Sequence, residues 1–172
     1  MADTYMVERT QRVDAPPEVV RERLVDFRRW RAWSPWEDLD PDMQRTFGGE
    51  RSGVGAWYVW EGNRKAGKGR MEILEADDST VRVDLQFLRP FRSHSNTVFE
   101  LRPAGDGTLV VWRVVGVNTL MTKLMGPFMS MDKLLGPDLE KGLSRLKADV
   151  EASAGGSPSR GQASGDGTAT GG

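Results

Sequence analysis

Cysteine is absent from the 172 residues, and His94 is the single histidine. The first absence excludes disulfides, thiolate nucleophiles and cysteine-ligated metals. The second excludes histidine-rich metal sites and paired imidazole mechanisms. Positive charge is not in surplus either: 24 Lys and Arg stand against 25 Asp and Glu, a formal net charge of -1. Without a basic field to attract phosphate, nucleic acid is not an expected partner. No apolar run approaches the roughly 18 residues of a membrane span, and the opening MADTYMVERTQ lacks the apolar core of a signal peptide. These absences predict a cytoplasmic protein with no integral membrane segment.

What is present suits a globular domain: 38% hydrophobic and 28% charged residues, in a chain long enough to bury a core. The composition changes after Glu151, where ASAGGSPSRGQASGDGTATGG offers almost nothing to bury. Residues 152–172 are therefore expected to be a disordered Gly/Ser-rich tail, and residues 1–151 the folded domain. Within that domain TYMVERTQRVDA reads as a first strand. Asp14 followed by Pro16 and Pro17 reads as a helix start, with Val20, Leu24 and Phe27 at helical spacing. Trp30, Trp33 and Trp36 predict a second short helical turn that stops near Ser34-Pro35. Past Asp42 the period changes to alternation. MQRTF, GAWYVWEG, KAGKGRMEILEA, TVRVDLQFL, SHSNTVFELRP and TLVVWRVVGVN are six strand-like runs separated by turn signals. A helical region over about 119–150 closes the domain. The expected fold class is α+β: a seven-stranded curved antiparallel sheet wrapped around a long C-terminal helix, with two short helices after the first strand.

The terminal region carries two Gly-Pro pairs, Gly126-Pro127 and Gly136-Pro137. Proline in a helix interior loses a hydrogen bond and clashes with the preceding turn. Helical segments over 119–126, 128–136 and 137–150 are therefore predicted, with bends between them. Phe128, Asp132, Leu135 and Leu139 fall on one stripe, and Met121, Met125 and Met129 on a neighbouring one. Two readings stay open: methionine as adaptable core filler, or methionine lining a cavity for an apolar guest. The strands are equally two-sided. In AWYVWEG one face holds Ala56, Tyr58 and Trp60 and the other Trp57, Val59 and Glu61. Both are aromatic, and alternation alone does not choose between them.

The strand–helix–helix–six strands–long helix order is similar to that of the START-like helix-grip superfamily, also called SRPBCC. More narrowly, FRRWRAWSPWEDLDP, GVGAWYVWEGNRKAGKGRMEI, FLRPF, GTLVVWRVVG and FMSMDKLLGPDLEKGLSRLK resemble bacterial proteins of the polyketide cyclase/dehydrase type. The resemblance implies a deep apolar cavity between sheet and terminal helix, holding a lipid- or polyketide-like molecule without a cofactor. By position it turns the Ala56, Tyr58 and Trp60 face, with Trp112, toward that cavity. The expected strand lining comprises Tyr58, Trp60, Met71, Leu85, Phe87, Thr97, Phe99 and Trp112. Met125, Phe128, Met129 and Leu135 are the expected helical lining.

Candidates for catalysis are few. If Phe99 points inward then Thr97 does too, and His94 points out. Asp132 shares a stripe with Phe128 and Leu135; facing an apolar cavity, its carboxyl would have a raised pKa and could serve as a general base for ring closure or dehydration. The alternative is an acid at the stripe's edge, paired or solvated. GNRKAGKGR lacks the G-x-x-x-x-G-K-[ST] spacing of a phosphate loop and reads as a hairpin. Three functions follow: a carrier of a small hydrophobic ligand, a cyclase or dehydratase using Asp132, or an interaction module presenting the aromatics of FRRWRAWSPW, as chaperone-ATPase activators of similar layout suggest.

Overall fold

In a computed structural model, which describes residues 3–119, 124 and 130–154, alternation sets the first element. β1 (Thr4–Val13) turns Tyr5, Val7 and Val13 to the inner face and Met6 and Glu8 outward. Helix α1 (Pro17–Leu24) starts at Pro16; no side chain caps it, so Asp14 does not take that role. The Asp14 backbone N–H instead donates to Glu151 Oε1 at 2.8 Å. A 3-10 helix (Phe27–Ala32) follows, capped by Asp26, whose carboxylate accepts from the Arg28 N–H at 3.0 Å. Phe27, Trp30 and Trp33 are buried against the sheet. The indole N–H groups of Trp30 and Trp33 donate to the carbonyls of Leu24 and Arg23 at 3.0 and 3.4 Å. Those satisfied donors let two large rings enter the core. They plug the fold, and only Trp36 of the three tryptophans stays half-buried.

The six later runs become β2 (Gln44–Gly48), β3 (Trp57–Glu61), β4 (Lys68–Ala76), β5 (Thr80–Arg89), β6 (Ser93–Ala104) and β7 (Gly107–Val117). They pair antiparallel in the order β1-β7-β6-β5-β4-β3-β2. β2 to β7 are thus sequential neighbours, while β1 crosses to the far edge and pairs with β7. The outer face carries ion pairs such as Glu8–Arg113–Glu100 and Arg82–Glu75. The inner face carries the core.

Helix α2 (Met131–Ala154) covers that face, burying Leu139, Leu143, Leu146 and Val150 at helical spacing. Two expectations are corrected here. The helix does not break at Gly136-Pro137 but runs through it, leaving the Lys133 carbonyl without its helical donor. A Cβ on Gly136 would lie 2.1 Å from Arg9 Nη2, so this glycine makes room for a side chain from β1 and is not a hinge. The helix also runs four residues past its expected end at 150, to Ala154, and Ser153 Oγ accepts from Arg23 Nη2 at 2.6 Å. The tail beyond Ala154, and the break expected at Gly126-Pro127, lie outside the described residues. Among the described residues no helix is long and apolar enough to cross a membrane.

Candidate functional site

One cross-strand row runs unbroken over all seven strands: Phe47, Tyr58, Met71, Leu85, Ser95, Gly116 and Tyr5 are successive partners. Between this row and α2 lies a cavity of about 340 Å³, within the size range of small-molecule pockets. Tyr5, Tyr58, Met71, Leu85 and Ser95 form its floor. Thr97 and Trp112 from the middle of the sheet and Trp60 and Phe87 from β3 and β5 form its walls. Met131, Leu135 and Asp138 reach it from α2. Trp60 is held in the wall by its indole N–H, which donates to the Ala66 carbonyl at 3.0 Å. Its ring lies over Gly69, where a Cβ would come within 2.2 Å of it.

Eight expected residues therefore come together around the cavity: Tyr58, Trp60, Met71, Leu85, Phe87, Thr97, Trp112 and Leu135. Phe99 does not join them. It is fully buried, stacked on Trp112 with ring centroids 5.0 Å apart and edge-on to Trp30 and Trp33. The 3-10 helix fills the space in front of it, so the same inward face is hollow at Thr97 and solid at Phe99. Met125, Phe128 and Met129 lie outside the described residues.

Asp132 does not face the cavity either. Its side chain is 56% exposed and forms a two-pronged pair with Arg9: Nη1 donates to Oδ1 at 2.8 Å and Nη2 to Oδ2 at 3.0 Å. These hydrogen bonds hold its carboxyl below the usual range, the reverse of the expected shift. Asp132, Gly136 and Glu140 form the stripe that receives Arg9 from the edge strand, with Arg9 Nε donating to Glu140 at 2.7 Å. The stripe facing the cavity is one residue away, at Met131, Leu135 and Asp138. Asp132 is a structural acid in an exposed ion-pair cluster. His94 lies on the outer face against Asp84, as the alternation required.

Several lining groups gave no signal in the sequence. Tyr5 and Ser95 meet only because β1 pairs with β7, a long-range fact. Glu37 lies in an irregular stretch with no period to orient it. Its side chain is 8% exposed and its Oε2 accepts from Arg45 Nε at 2.7 Å. Arg45 is fixed in turn by Nη1 donating to the Met43 carbonyl at 3.0 Å and Nη2 to the Glu37 carbonyl at 3.4 Å. The Tyr58 hydroxyl donates to Glu37 Oε1 at 3.2 Å. Burial, with the Glu37 charge beside it, pushes the Tyr58 phenol well above its ordinary value of 10.0. At the other end burial raises Tyr5 as well, partly offset by a hydrogen bond from Ser95. Trp112 Nε1 is buried and has no partner among the described residues. Nor, among those residues, do three or more His, Asp or Glu gather where a metal ion could be held.

The family model described as polyketide cyclase / dehydrase and lipid transport matches residues 5–151. No curated protein matches the sequence. Among solved structures, Mll3558 from Rhizobium loti is 21% identical with a TM-score of 0.60, over 87% of this chain and 97% of that one. Ara h 8.0201 is 14% identical with a TM-score of 0.60, over 87% and 99% of the two chains. DynU16, a protein in the dynemicin biosynthetic locus, is 16% identical with a TM-score of 0.59; the match spans 86% of this chain and 48% of that one. At these identities the likeness is one of fold.

Proposed function

The chain belongs to the polyketide cyclase / dehydrase and lipid transport family, and from that premise we propose that it binds or carries a small hydrophobic molecule under α2. The observation that supports this reading is the cavity itself: about 340 Å³, walled by Trp60, Phe87, Trp112, Met71 and Leu85, with few polar groups. Core side chains normally interdigitate to crystal-like density, so a space this large amid available aromatics is a feature to be explained. A lipid- or polyketide-like guest of mostly apolar surface fits such a lining. The cytoplasm, expected from the cysteine-free composition, is kept as the place of action.

Neither rival has a comparable observation behind it. Asp132 lacks the desolvated setting that a general base here would need. Trp30 and Trp33 are buried, so they offer no aromatic patch to a partner protein. The test is displacement of an environment-sensitive apolar dye, together with native mass spectrometry of freshly purified protein. Saturable dye binding, or a bound mass that survives purification, is expected. Failure of both would overturn the reading.

A further inference from the structure

A buried ion pair is a weak source of stability, because desolvation of both charges cancels most of their attraction and two apolar residues serve about as well. Glu37–Arg45 is such a pair, with side chains only 8% and 14% exposed, and Glu37 forms part of the wall of a mainly apolar cavity. Arg45 is turned away from that cavity: three of its donors go to Glu37 Oε2 and to the carbonyls of Met43 and Glu37. The arrangement holds a carboxylate still, in a place where nothing in the core requires one. The hydrogen-bonding sense of this end is also fixed. The Tyr58 hydroxyl proton is committed to Glu37 Oε1, so Tyr58 and Glu37 have only lone pairs left to offer. A carboxylate has about four acceptor positions, and two of the four are filled here.

We propose that the Glu37–Tyr58 end of the cavity selects hydrophobic ligands carrying a neutral O–H or N–H donor, such as a phenol or alcohol, and rejects carboxylates. The inference rests on the cavity-binding reading and adds the polarity of the guest's head group. Arg45 already neutralises Glu37, so a second cation gains little. A guest carboxylate would set like charge against Glu37, and the Tyr58 proton is already committed to that side chain. Lys65 is the only cation in the cavity wall among the described residues, and it is solvent-exposed at the rim, where attraction is screened.

The experiment is equilibrium dialysis at neutral pH with naphthol, methylnaphthalene and naphthoate, which share an aromatic body and differ in head group. Wild-type protein is expected to bind naphthol at least about tenfold more tightly than naphthoate. In the double variant Glu37→Leu/Arg45→Leu, which removes both charges together, the naphthol-to-methylnaphthalene affinity ratio should fall about tenfold, the worth of one charge-assisted hydrogen bond. Tyr58→Phe, which frees a lone pair on Glu37 and leaves the ion pair intact, should keep or tighten naphthol binding. Naphthoate binding more tightly than naphthol, an unchanged ratio in the double variant, or loss of naphthol binding in Tyr58→Phe would each overturn the inference. If methylnaphthalene itself does not bind, the cavity reading fails first. If it binds without these head-group effects, only the present inference falls.

Discussion

Thr97 and Phe99 sit two residues apart on β6 and face the same way, yet one lines a cavity and the other is packed solid by Trp112, Trp30 and Trp33. Their substitutions should therefore separate. Phe99→Ala is expected to cost about 3–5 kcal/mol in urea unfolding, through lost transfer energy and an uncollapsed void among rigid rings. Thr97→Val should leave the urea midpoint nearly unchanged while altering dye affinity. Tyr5 and Tyr58, the only two tyrosines, stand at opposite ends of the cavity floor, and both phenols titrate above the ordinary 10.0. A spectrophotometric titration of the native protein should show less tyrosinate at pH 10 than two free phenols would, with Tyr58 ionising last or together with unfolding. The sign for stability follows: the unfolded phenols release protons first. Their contribution is complete below pH 10.0 and is lost as pH rises from there toward the folded values. A normal tyrosinate titration in the folded protein would contradict the burial of these hydroxyls.

Among the elements, α2 departs furthest from its sequence signature. Gly136-Pro137 carries the usual marks of a helix boundary, but the local pattern contains no trace of Arg9, the side chain from β1 for which the glycine leaves space. Replacing Pro137 by Ala restores a donor to the Lys133 carbonyl in a helix that is already continuous, so a gain of about 1–2 kcal/mol is expected in thermal or urea unfolding. Gly136 should behave differently. Alanine favours a helix over glycine by about 0.5–1 kcal/mol, but its Cβ would displace the Arg9 guanidinium from Asp132 and Glu140. In a double-mutant cycle, Gly136→Ala should fail to stabilise the wild type and should stabilise the Arg9→Ala background. Additivity would mean that the glycine is not there for Arg9. The Asp132 share of the coupling is present above the unfolded carboxyl value of 3.8 and is lost as pH falls through the lower folded value. The strands, by contrast, were legible because alternation with turn residues between them is local information. The helical stripe holds at Leu135 and Leu139 but not at Asp132, which meets Arg9; what each edge of a stripe touches is set by the angle at which the helix crosses the sheet, and that angle is not written in its own period.

At the scale of the whole molecule, the family resemblance pointed to a hollow between sheet and helix, and the hollow is there at about 340 Å³. Its apolar strand lining came from that resemblance, because alternation left both aromatic faces of AWYVWEG open. The Glu37–Arg45 pair was not legible, because it joins an irregular loop to an edge strand and depends on how the chain returns from the 3-10 helix. Such a cavity sets stability against function. Every methylene that could fill it forgoes roughly 0.8 kcal/mol of burial, and its lining atoms lose contacts across the gap. Leu85 stands at mid-floor, half-buried between Met71 and Ser95 in the cross-strand row. Leu85→Trp would place an indole in the cavity without displacing the packed Phe99–Trp112 core beside it. In a fully packed core such a change typically costs about 1–3 kcal/mol by overpacking. Here the melting temperature is expected to rise while dye and naphthol binding are lost together, the trade expected where a protein has kept a void for use. A melting temperature that falls by several degrees would show that no usable space exists at mid-floor. A rise with binding unchanged would place the ligand elsewhere.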